Sequence, residues 1–150
     1  MEHNFERLKD HILPLSVASE FYAAKNEWKL VGVEVHEEFD NCPCGQPIKE
    51  LCNIENQLNG NKTHVGNVCV NRFIGIETGS LFAGLKRISE NDTANANEDL
   101  IMHAYKFGYI YESEYTFLMQ TKRKRKLSDK QLAWKQKINR RITQQTIVRR

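Results

Sequence analysis

Four cysteines, Cys42, Cys44, Cys52 and Cys69, fall within a span of 28 residues, and no other position of the 150-residue chain holds one. No secretory signal is expected, because Met1-Glu2-His3-Asn4-Phe5-Glu6 has no basic region leading into an apolar stretch. A reducing compartment, the cytoplasm, follows as the expectation. There, clustered cysteines more often bind metal than pair as disulfides. Zn²⁺ suits four soft thiolate donors in a tetrahedron. Cys42-Pro43-Cys44-Gly45 reads as a tight knuckle, with Gly45 relieving backbone crowding around the bound sulfurs. Cys69 falls in the first turn of an expected helix, where free N–H groups and the helix dipole favour a thiolate.

The spacing departs from the usual Cys-x-x-Cys pair, since the first two cysteines are Cys-x-Cys and the others stand alone. Cys52 lies inside an expected strand and also fits a small core residue. His36 and His64 are rival donors, six residues before Cys42 and five before Cys69. The competing reading is four reduced thiols around a small core. A structural Zn²⁺ makes physical sense for so small a β element, because metal binding adds ~10 kcal/mol or more of folding free energy to such modules. A catalytic zinc needs an open position and a nearby base. Neither His-Glu-x-x-His nor a His-x-Glu paired with Cys-x-x-Cys occurs.

The rest of the chain reads as one α+β domain in four segments. Residues 1–27 are helical. Phe5, Leu8, Ile12 and Leu13 recur at helical spacing until Pro14, and a second helix is expected over Ser16–Ala24. Residues 28–76 form the expected zinc module, a treble-clef or ribbon-like unit. Its strands are expected over Trp28–Val35, Lys49–Glu55 and Lys62–Val65, with an acidic turn at Glu37–Asp40 and a tight turn at Asn59-Gly60-Asn61. A short helix is expected after it, over Val68–Ile74, capped by Asn67. Residues 77–121 carry three helices. The first is capped by Ser80, the second covers Glu98–Phe107 and stops at Gly108, and the third covers Ser113–Lys122 with Tyr115, Leu118 and Met119 facing inward. Residues 122–150 are a basic C-terminal helix, whose start carries the capping-box spacing Ser128-Asp129-Lys130-Gln131. No apolar run approaches the ~18–20 residues of a membrane span.

The segment Cys42-Pro43-Cys44-Gly45, then Ile48–Asn56, then Val65-Gly66-Asn67-Val68-Cys69-Val70-Asn71-Arg72-Phe73, resembles a group of small phage and prophage proteins. They share a Cys-x-Cys-Gly knuckle and a Val-Gly-x-x-Cys element. The resemblance covers about 32 residues and extends more weakly to Leu127-Ser128-Asp129-Lys130-Gln131. It implies zinc ligation by Cys42, Cys44 and Cys69, with Cys52 as a further candidate, and an origin on a mobile element, so that the expected cytoplasm is that of a bacterium or of a phage-infected host cell. It implies no reaction.

The formal net charge of +3 conceals a split. Residues 1–120 carry a net −8, and residues 121–150 a net +11 with Asp129 the one acid. A basic arm on an acidic body points to a polyanionic partner. Lys122-Arg123-Lys124-Arg125-Lys126 is five consecutive cations. Beyond them Gln131, Trp134, Ile138 and Ile142 form a narrow apolar stripe, while Lys130, Lys137 and Arg141 fall on another face. These eight cations are the candidate nucleic-acid contacts, to DNA or RNA. Phosphate contact by such runs is non-specific and sensitive to salt. No helix-turn-helix, classical finger or RNA-recognition signature occurs. The bland counterpart is a solvated linker, and the alternative function is protein interaction, as a phage-encoded inhibitor or adaptor of a host nucleic-acid enzyme.

No enzyme is expected. Gly75-Ile76-Glu77-Thr78-Gly79-Ser80 lacks the Gly-Lys-Ser/Thr ending of a phosphate loop, and no Gly-x-Ser-x-Gly occurs. His11 or His103 beside an acid is readily met by chance. Asp40, Glu50 and Glu55 near a thiolate cluster do not make the hard-oxygen site that a Mg²⁺ nuclease needs.

Overall fold

In the computed structural model, which describes residues 2–149 with the side chain of Glu2 excepted, the protein is α+β, with seven α-helices and a three-stranded antiparallel sheet. It divides into two compact units, residues 1–78 and residues 79–150. Among the described residues no helix is long and apolar enough to cross a membrane.

The first unit opens with α1 (Glu2–Ile12), which buries Leu8 and Ile12 and ends in a 3-10 turn at Leu13–Leu15 around Pro14. The expected helix from Ser16 forms only as α2 (Phe21–Ala24). The non-helical residues before it are held by the buried Glu27 carboxylate, which accepts the N–H groups of Val17 and Ala18, each at 2.8 Å, and the amide of Asn56 at 2.9 Å. Ser16 is held as well, donating to the Ile12 carbonyl and accepting the Trp28 indole N–H. Glu20 then caps α2 by accepting the N–H groups of Tyr22 and Ala23.

The sheet runs β1 (Trp28–Asn41), β2 (Pro47–Asn56), β3 (Lys62–Gly66), in that spatial order. β1 is longer than expected. The acidic stretch Glu37–Asp40 is a bulge rather than a turn: between Val35↔Glu50 and Asp40↔Ile48, β1 advances five residues while β2 advances two. A smaller irregularity lies between Leu30 and Gly32. The Asn59-Gly60 turn joins β2 to β3 as expected, with Gly60 at φ 77°. α3 (Asn67–Ile74) follows directly, with Gly66 rather than Asn67 in the capping position. Phe73 of α3 packs on Phe21 and Trp28, at centroid distances of 5.2 and 6.3 Å, and closes the core with Val33, Ile54, Val65 and Val70.

The second unit is four helices, α4 (Gly79–Glu90), α5 (Glu98–Lys106), α6 (Glu112–Thr121) and α7 (Asp129–Gln144). Their apolar stripes supply Phe82, Leu85, Ile88, Leu100, Ile101, Leu118, Ile138 and Ile142 to the interior. α5 stops before Gly108, whose φ of 82° suits glycine. On α6 the buried positions are Glu114, Phe117, Leu118 and Thr121, while Tyr115 and Met119 are only half-buried. On α7 the Ser128–Gln131 capping box forms as read from the sequence. Its buried face is Lys135, Ile138, Asn139 and Ile142, so two polar side chains stand where an apolar stripe was expected. Trp134 lies at the margin, stacked on Phe117 with centroids 4.2 Å apart.

Candidate functional site

Three of the four cysteines converge. Cys42 follows the last residue of β1, Cys44 sits in the turn to β2, and Cys69 is in the first turn of α3. Their Sγ atoms all lie within 4.8 Å of one another, and all three residues are buried. The knuckle is shaped by backbone bonds from Cys42 N–H to Gln46 O, 2.9 Å, and from Gly45 N–H to Cys42 O, 2.8 Å. Gly45 has φ 97°, and a Cβ there would fall 2.3 Å from an Arg7 guanidinium nitrogen. Arg7 of α1 therefore lies directly over the knuckle, a cation at the edge of a group of thiols.

The chemistry of the pocket favours negative sulfur. The Cys69 thiol donates to Cys42, and the N–H of Gly66 reaches the Cys42 Sγ at 3.3 Å; together with Cys44 they hold Cys42 well below the ordinary thiol range despite its burial. Cys69 is pushed the other way, because its proton is the one shared with Cys42 and because it too is buried. Of the two, Cys42 is the sulfur that negative charge favours, and Cys69 the one that holds its proton. A cation that displaces that proton finds three sulfur donors already assembled. A tetrahedral Zn²⁺ with Zn–S bonds of ~2.3 Å sets sulfurs ~3.8 Å apart, so a sub-ångström contraction of the observed cluster fits the ion. The donor set and its burial match a thiolate metal site.

The other candidate ligands are elsewhere. Cys52 is in mid-β2, opposite Val33 and Val65, fully buried and outside the cluster. Burial pushes its thiol up to about 12, which leaves it a core residue at neutral pH. His36 lies between Glu34 and Asp40, 3.5 Å from each. The His64 ring is 2.9 Å from the Asn41 carbonyl. Among the described residues neither histidine joins the sulfur cluster. Sequence reasoning missed Arg7, and it missed His11 as a neighbour of the site. The His11 ring contacts the Thr63 hydroxyl at 2.7 Å and lies within electrostatic reach of Cys42. Both residues come from α1, more than 30 positions before Cys42, and no local spacing marks them.

In the second unit, Arg123, Lys124, Arg125 and Lys126 lie exposed in the connection from α6 to α7. The connection is fixed by bonds from Lys124 N–H to Thr121 O and from the Asn95 amide to Lys124 O. Lys122 is tied to Glu98 at 2.9 Å. On α7, Lys130 and Lys137 are exposed, but Arg141 is turned into the unit and held by Glu114. Arg140, also on α7, is engaged by Asp92 at 2.7 Å. The accessible positive charge is therefore concentrated in the connection before α7 more than along the helix.

Compared with known proteins, the chain matches no family model, no curated protein and no solved structure.

Proposed function

We propose that the protein is a small zinc-stabilised nucleic-acid-binding protein of phage or prophage type. The observation that carries the binding role is the exposed run Lys124-Arg125-Lys126. None of its three side chains is ion-paired among the described residues, although residues 79–150 contain acids that engage Lys122, Arg140 and Arg141. Cations held on an ordered connection and left without acid partners suit phosphate oxygens, which they contact without reading sequence. The zinc role is supported by the buried sulfur trio. Its arrangement of knuckle, hairpin and helix-start cysteine is that of a treble-clef-like module, with Cys42, Cys44 and Cys69 as ligands of a structural ion. The phage reading draws on the shared Cys-x-Cys-Gly and Val-Gly-x-x-Cys motifs.

The test is binding of labelled DNA and RNA by fluorescence anisotropy at rising salt. The logarithm of affinity should fall linearly with the logarithm of salt concentration. Neutralising the run (K124Q/R125Q/K126Q) should lower that slope by roughly 2–3, since each phosphate contact contributes about 0.7–0.9. An unchanged slope in the triple variant overturns the assignment of the run. No binding at low salt overturns the nucleic-acid reading and directs attention to an acidic protein partner.

A further inference from the structure

The exposed run faces a groove. Lys124, Arg125 and Lys126 line one side of a cleft of about 540 Å³, and Arg87 of α4 contributes a fourth cation. No acid lines it. A smaller neighbouring cleft of about 250 Å³ shares Arg87 and Asn95 with it, but there Glu98 offsets the charge of Lys122. The larger groove thus gathers four positive charges with no acid in its described lining, an arrangement that an incoming anion relieves.

Its walls are built in advance. Asn139, fully buried on α7, donates to the carbonyls of Asp92 and Ala94, both at 2.9 Å. The ammonium of Lys135, also buried, donates to the Asn95 side chain, whose amide in turn holds the Lys124 carbonyl. Two polar side chains in the interior of a helical unit are costly unless hydrogen-bonded. Here they pin the 92–95 segment and the cationic connection to the same helix. The groove also carries apolar surface, from Leu127 and Leu132, which are half-buried.

We infer that this groove takes an unpaired nucleic-acid strand, with phosphates on Arg87, Lys124, Arg125 and Lys126 and a base or sugar against Leu127 and Leu132. The inference rests on the proposed nucleic-acid function and specifies its substrate class. A double helix offers phosphates on a convex surface and keeps its bases stacked inside, so the apolar patch would gain nothing from it. An unpaired strand bends into a concavity and exposes base faces to apolar side chains. The volume lies within the ~300–1,000 Å³ of clefts that enclose small ligands, a nucleotide-sized space. Trp134 stacks one ring face on Phe117 and does not line this groove.

The experiment compares an oligothymidylate with a duplex of the same length, at one salt concentration, on the full chain and on Arg87→Gln. The single strand should bind at least ~10-fold more tightly, and Arg87→Gln should weaken it roughly fivefold while changing duplex binding less than twofold. Lys126→Gln, on the exposed connection, is the second variant and should show the same selectivity if Arg87→Gln does not fold. Duplex binding as tight as single-strand binding overturns the groove, as does an equal loss for both probes in the variants. Salt-sensitive affinity would then remain, and the proposed function with it. Failure of both probes to bind overturns the proposed function itself.

Discussion

Arg141 of α7 grips Glu114 of α6 with both prongs of its guanidinium, Nη1 to Oε1 at 2.5 Å and Nη2 to Oε2 at 3.1 Å, and both side chains are largely buried. The same carboxylate accepts the N–H of Tyr111 at the start of α6 and lies 3.4 Å from the Trp134 indole nitrogen. Burial works against charge on Glu114, but the Arg141 guanidinium and the Tyr111 N–H outweigh it and keep the carboxyl below its ordinary range. Arg141 therefore anchors α7 to α6. Removing one partner leaves a buried charge unpaired, so Arg141→Ala or Glu114→Ala should each cost about 3–5 kcal/mol in chemical denaturation. The double variant should cost less than the sum, and strict additivity would contradict the pairing.

His103 gives the second unit a pH dependence. Its ring lies beside Phe107 and Tyr109, at centroid distances of 4.5 and 6.2 Å, and its buried Nε2 finds no hydrogen-bond partner among the described residues. Burial, helped by the nearby Lys106 charge, lowers its pKa from 6.5 to about 4. The unfolded chain thus binds the proton more readily than the folded one. The contribution is complete above about pH 6.5 and is lost as pH falls towards 4, a loss of roughly 3 kcal/mol. His103→Leu should flatten the stability profile across that window. A profile of the same steepness in the variant would show that other groups carry it.

Gly45 and Arg7 form the tightest approach at the knuckle. Alanine at position 45 would have to hold φ 97° and would meet the Arg7 guanidinium. Gly45→Ala should lower stability by about 1–3 kcal/mol. Arg7→Ala should recover only part of that, because it removes the clash and not the backbone strain. Full recovery in the double variant would assign the whole effect to Arg7.

Cys52 separates a core thiol from a metal ligand. Cys52→Ala should cost about 1 kcal/mol or somewhat more through the small cavity it opens, with metal content unchanged. A loss of metal in this variant would bring Cys52 into the ligand set.

Features carried by local chemistry were legible in the chain. Asn59-Gly60 announces its turn because glycine tolerates a positive φ, and Ser128 with Gln131 announces the start of α7 through reciprocal capping. The knuckle and the helix-start cysteine were also legible, since Cys-Pro-Cys-Gly marks a tight turn and the run after Gly66-Asn67 marks a helix with Cys69 in its first turn. What stayed hidden depends on partners distant in sequence. Val17 and Ala18 are tied to the carboxylate of Glu27, ten and nine positions on, where a local pattern reads a helix. Arg141 looks like one more surface cation until α6 brings Glu114 to it. Lys135 and Asn139 lie outside the stripe read from Gln131, Trp134, Ile138 and Ile142, yet they turn inward to hold Asn95 and the carbonyls of Asp92 and Ala94. Cys52 shares its residue type with the ligands, but the alternation of β2 directs it into the core, between Val33 and Val65.

The most direct measurement is zinc content per chain of the purified, folded protein, together with Cys42→Ser, Cys44→Ser and Cys69→Ser. The expected result is about one zinc per chain, lost or sharply weakened in each of the three variants and retained in Cys52→Ala. A folded protein that carries no zinc, and takes up neither zinc nor cobalt on titration, would contradict the account and leave the three sulfurs as neighbours in a core.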